Sequence, residues 1–206
     1  MMKKLIIGVI GVFFISCAGA KVKKEIGERE IVERSDDKKP EWVLKKVPKP
    51  KEGKIFFRGS RTRAVAYEDG ITDARMDAIK GISQLAQTEM YATYERARKE
   101  LGIPEDDKDV GRVINDGMVA FSETIVKGVV EEEIYWEKYK EYGAGRVGYF
   151  YDIYMLVSIS ERDFRATAES IIESQLKKAR EENNKKAEEF LNQMREEIRR
   201  KRFGGE

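Results

Sequence analysis

From Val147 to Ile159 every second residue is apolar or aromatic: Val147, Tyr149, Tyr151, Ile153, Met155, Val157 and Ile159. An unbroken period of two puts all of them on one face of an extended strand, and that face has to be covered. The run lies in 145–160, between Gly145 and Ser160-Glu161-Arg162-Asp163. The second of these is a capping-box-like S-x-x-D, the start signal of a helix. Upstream, 129–142 (VVEEEIYWEKYKEY) mixes branched and aromatic residues with charges, and Gly143-Ala144-Gly145 follows as a turn. The two segments predict a long antiparallel hairpin that passes directly into a helix.

The rest of the body is read around that hairpin. Lys54 to Gly59 (KIFFRG) is a short β-rich run between glycines and predicts a strand over 54–59. Ile71, Ala74, Ala78, Ile82 and Leu85 recur at helical spacing and predict a helix over 66–101, with small residues that permit close packing on a sheet. Gly102-Ile103-Pro104 ends it, and Glu105, Asp106 and Asp107 suit the positive end of a new helix dipole. Val110, Ile114, Met118, Phe121 and Ile125 carry that second, shorter helix. The final helix is read over 161–202, with no Pro or Gly inside it. At 1.5 Å per residue it would be roughly 60 Å long, so its charged end, 181–206, is expected to project. There Phe190, Leu191, Met194 and Ile198 offer a stripe for self-association or an envelope partner; the alternative is a solvated helix held by i,i+4 ion pairs. The expected class is α+β: a small antiparallel sheet of about three strands in β-α-α-β-β-α order, packed by a long helix, with a long charged C-terminal helix.

The start of the chain is an export signal. Lys3 and Lys4 precede the apolar run Leu5–Ile15, which is too short to span a bilayer. Residues 1–16 read as a signal peptide ending at the only cysteine, and Phe14-Ile15-Ser16-Cys17 resembles a bacterial lipobox. That resemblance implies diacylglycerol on the Cys17 thiol and cleavage before it; Phe14 stands where such boxes usually carry Leu. In a Gram-negative host, Ala18 in place of the Asp that resembles an inner-membrane retention signal implies the outer membrane, with the domain in the periplasm. Cleavage after Ala20, within Ala18-Gly19-Ala20, is the competing reading and would release a soluble chain. Charged residues and few apolar ones make 17–39 a flexible tether, and 40–180 the folded domain, beginning at Pro40-Glu41-Trp42-Val43.

Pro40-x-Trp42, Phe56-Phe57-Arg58-Gly59-Ser60, Asp73-Ala74-Arg75 with Ala78, and the hairpin running into Ser160-Glu161-Arg162-Asp163-Phe164 together resemble the LPP-twenty family of bacterial envelope lipoproteins. They are also similar to the N-terminal domain of flagellar assembly protein T. The resemblance covers about 40–180. It implies a compact α+β fold, an outer-membrane location and no known catalysis, with some relatives supporting flagellar or surface structures.

Composition narrows the chemistry. The chain has 206 residues, Lys+Arg 40, Asp+Glu 38, one Cys and no His. Without histidine there is no Ser-His-Asp or Cys-His unit and no imidazole metal site. Balanced charge argues against a nucleic-acid partner. The surplus of +2 is carried by Lys3 and Lys4, which leave with the signal. No cofactor or metal is expected: Asp107-Lys108-Asp109 lacks the later ligands of a calcium loop. Two candidate sites remain besides Cys17 and the C-terminal stripe. Ser60, Arg61 and Arg63, read as a strand-to-helix loop, are a candidate anion site, weighed against a plain turn with an N-cap. The aromatics of the hairpin, Trp136 among them, are a candidate ligand or partner surface, weighed against cross-strand packing. The expected function is a non-enzymatic, membrane-anchored interaction or assembly module; the alternative is a small-ligand or anion carrier.

Overall fold

The computed structural model describes residues 24–200. Its elements are β1 (Arg29–Arg34), α1 (Glu41–Leu44), β2 (Lys54–Ala64), α2 (Tyr67–Glu100), α3 (Lys108–Ile125), a 3-10 turn (Val126–Gly128), β3 (Val130–Tyr142), β4 (Val147–Ser160), α4 (Glu161–Glu181) and α5 (Lys185–Arg200). The class is α+β, with one antiparallel sheet in the order β1-β3-β4-β2. The hairpin forms as its patterning requires: Ile134 faces Met155, Trp136 faces Ile153 and Lys138 faces Tyr151. Ile153, Met155, Val157 and Ile159 are wholly buried beneath the helices.

The sheet has four strands rather than about three. The added strand, β1, lies inside the stretch expected to be a flexible tether. It pairs with β3, Arg29 opposite Glu141 and Ile31 opposite Tyr139, with a bulge after Ile31. All six of its side chains are exposed, so no apolar period marks it, and the backbone ladder does the pairing.

β2 also runs five residues past the expected end at Gly59. That glycine is a point of close approach instead of a turn. A Cβ built there would stand 1.9 Å from the Ala74 carbonyl oxygen and 2.5 Å from the Ala78 nitrogen. α2 therefore rests directly on β2, which is what the small residues Ala74 and Ala78 permit. Over its 34 residues α2 runs about 50 Å, longer than the sheet beneath it. Its first half covers the sheet; its second half joins α3, α4 and α5 in a helical bundle. There Tyr94 stacks on Phe190 and Phe121 meets Phe164 edge-on.

The largest correction concerns the C-terminal helix. It does not continue to 202 or project. It stops at Glu181, turns through Asn183 at φ 53, and restarts at Lys185. Asn184 caps the new helix, its side-chain oxygen accepting from the Ala187 N–H at 3.0 Å. α5 then folds back along α4 and α2, so Phe190, Leu191, Met194 and Ile198 are all wholly buried. Arg195 pairs with Glu173 across the two helices at 2.9 Å.

A second, smaller apolar cluster sits on the opposite face of the sheet. Trp42 and Val43 of α1 pack on Tyr135 and Leu156, flanked by Phe56 and Tyr154. The Trp42 indole N–H donates to Glu133 at 2.7 Å, and the Arg58 guanidinium donates to the Trp42 and Val43 carbonyls. Among the described residues no helix is long and apolar enough to cross a membrane.

Candidate functional site

Alternation that buries Ile153 and Met155 must turn the intervening residues outward. On the face away from the helices, Tyr135 stands opposite Tyr154, Glu137 opposite Asp152 and Tyr139 opposite Phe150. Rings and carboxylates therefore alternate down the middle of the sheet. α1 covers one end of this face; toward the hairpin turn the outermost groups are the exposed arginines Arg29 and Arg63.

Each carboxylate has a cation or donor against it. Glu137 accepts from Lys39 at 2.8 Å and from the Tyr135 hydroxyl at 2.9 Å. Glu141 accepts from Arg29 at 3.2 Å and from Arg63 at 2.7 Å. Asp152 accepts from the Arg63 backbone N–H at 2.8 Å and lies 3.7 Å from the Arg29 guanidinium. The same cations cover the rings: Arg29 lies over Tyr139 at 4.5 Å, Arg63 over Phe150 at 4.8 Å and Lys39 over Tyr154 at 5.5 Å. Burial, with Glu137 beside it, pushes the Tyr135 phenol up to about 12; burial and the Asp152 charge do the same for Tyr139. Both hydroxyls stay protonated across the physiological range, and Tyr135 serves as a fixed donor.

The expected anion loop is taken apart by the fold. Ser60, Arg61 and Arg63 lie on β2 instead of a strand-to-helix loop. Arg61 points to the helix side and pairs with Asp73 at 3.2 Å, while the Ser60 N–H donates to Asp77 at 3.0 Å. The bulge after Arg61, with Arg63 at φ 58, turns Arg63 to the opposite face. The two arginines thus cannot converge on one ligand. Trp136 also changes role: it lies on the helix side, edge-on to Tyr67 and Tyr151, as core packing. Phe190, Leu191, Met194 and Ile198 are core as well, and Cys17 lies outside the described residues.

Arg29, Lys39, Glu137, Glu141 and Asp152 are not among the site residues expected from the sequence. The two cations lie in the stretch assigned to the tether. The three acids were legible in principle, because they share a parity with Tyr135, Tyr139, Phe150 and Tyr154 in the hairpin. Among the described residues no group of three or more His, Cys, Asp or Glu side chains is placed to hold a metal ion. No family model matches the chain, and no curated protein or solved structure matches it.

Proposed function

We propose that this chain is a lipid-anchored envelope protein, held at the outer membrane by acylated Cys17, whose periplasmic domain is a non-enzymatic interaction module. The resemblance to the LPP-twenty family stands with this proposal, as does a supporting role for a surface or flagellar assembly. The observation that carries it is the outer sheet face. Arg29 and Arg63 are half-exposed guanidiniums fixed over Tyr139 and Phe150 by Glu141. Arginine and aromatic rings are the residue types that dominate protein–protein hot spots. Holding them in place beforehand lowers the ordering entropy that binding must overcome.

Site-specific photocrosslinking in the native envelope tests it. A probe at Phe150 is expected to give a discrete protein adduct that disappears in Arg63→Glu. A probe at Met76, exposed on α2, is expected to give none. Equal adducts at both positions, or none from Phe150, overturns the assignment of this face.

A further inference from the structure

The hairpin outruns the helix layer. α2 begins at Tyr67, whose ring packs on Trp136 and Tyr151. Beyond that contact come the pairs Lys140–Tyr149 and Tyr142–Val147, then the turn 143–146, with no helix over them among the described residues. The consequence is an exposed patch of unusual make-up. Val147 is 44% and Tyr149 52% exposed, and Ile26, beside the turn, is 76% exposed. Lys138 lies over the Tyr151 ring, and Lys140 and Lys24 both lie over Tyr142.

The charges at this end are unequal in their commitments. Among the acids, Glu28 pairs with Lys24, Glu30 accepts from the Tyr142 hydroxyl, and Glu141 holds Arg29 and Arg63. Glu25 carries no ion pair among the described residues, and Glu30 and Glu33 stand opposite Lys140 and Lys138 across the β1–β3 ladder. Among the described residues no carboxylate lies within ion-pair distance of Lys138, Lys140 or Arg146. Lys138, Lys140 and Arg146 are therefore held in no close ion pair and stand among exposed aromatic and aliphatic groups, with Glu30 and Glu33 across the ladder from the two lysines.

The chain also enters the fold here. The Gly27 N–H donates to the Tyr142 carbonyl at 2.7 Å, next to the hairpin turn. From Cys17 to Lys24 is seven residues, at most about 25 Å of covalent chain. The opposite end of the molecule carries the α2–α3 loop and the α4–α5 turn, joined by Arg112 to Glu182 and by Lys186 to Asp107. It lies about the length of α2 away, roughly 50 Å.

We propose that the hairpin end, with Lys138, Lys140, Arg146, Val147 and Tyr149 at its surface, rests on the phospholipid headgroups of the membrane that holds the anchor. The proposal builds on acylation of Cys17. Cations meet headgroup phosphates, and aromatic and branched side chains sit at the headgroup boundary. The helical bundle then faces away from the bilayer, and the outer sheet face stands sideways, open to a partner.

The test uses full-length lipidated protein in vesicles of phosphatidylethanolamine and phosphatidylglycerol carrying doxyl lipid. Cys17 is the only native cysteine and is blocked by the lipid, so Ala144→Cys and Asp106→Cys each accept one environment-sensitive fluorophore. The label at 144 is expected to be quenched at least about twofold more than the label at 106, and a Lys138→Glu, Lys140→Glu, Arg146→Glu variant is expected to remove that difference. Fatty-acid incorporation is measured on the same samples. Incorporation with equal or reversed quenching, or with quenching indifferent to the charge reversal, overturns the docking surface alone. Absence of incorporation overturns the anchor and the docking together.

Discussion

At the residue scale, a few positions fix the fold through contacts that tolerate no alternative. Gly59→Ala drives a methyl into the backbone of α2, which cannot give way as a flexible side chain would. The expected cost is about 2–3 kcal/mol, read by urea denaturation. Asp107 is the N-cap of α3, accepting from the Val110 N–H at 3.0 Å, and Asp107→Ala is expected to cost about 1 kcal/mol. The Lys186 ammonium beside it and the Val110 N–H hold its carboxyl below the ordinary value of 3.8. Its folded value being depressed, its contribution is full above 3.8 and is lost as pH falls through the folded value. Wild type and Asp107→Ala are thus expected to differ in stability at neutral pH and to converge in acid. Arg63→Glu is expected to change stability by only about 1 kcal/mol, because its pair with Glu141 is half-exposed and screened, while it abolishes the Phe150 adduct. The residues of the outer face were half legible. Period two shows which hairpin residues share a face, yet nothing local says that Arg63 leaves the face of Arg61, since that depends on a bulge formed against β4.

At the element scale, the strongly periodic pieces were readable and the pieces held by polar or backbone contacts were not. The hairpin, α2 and α3 fall within a few residues of their expected bounds because their apolar spacing is set by burial. The break between α4 and α5 rests on Asn183-Asn184, two residues that serve as a left-handed C-terminal stop and as an N-cap. Absence of Gly and Pro therefore did not mean continuity. Asn183→Gly is expected to leave stability nearly unchanged, and Asn183→Val to cost about 1–2 kcal/mol. The stripe once expected to meet a partner is core: Phe190→Ala is expected to cost about 3–5 kcal/mol, measured by thermal or urea unfolding. Loss of an interaction without loss of stability in that variant would contradict the buried placement. β1 was invisible for the opposite reason, since an edge strand with every side chain exposed needs no apolar pattern.

At the scale of the whole molecule, the chain has two ends of different character. One is a hairpin tip where the N-terminal segment enters; the other is a four-helix bundle sealed by α5. The sequence set out the sheet and its long helix but not this polarity, because the polarity depends on β1 shortening the expected tether and on α5 folding back. The second of these buries the C-terminal stripe, so the proposed interaction is assigned to the open sheet face. The proposed anchor and membrane docking rest on Cys17, and the mass of the N-terminal tryptic peptide of the mature, membrane-extracted protein addresses it most directly. The expected peptide is Cys17–Lys21 carrying a diacylglyceryl thioether, with its amine acylated or free. A lipid-free chain beginning at Lys21, or an unmodified Cys17 inside an uncleaved N-terminus, would show that the protein is not anchored in this way.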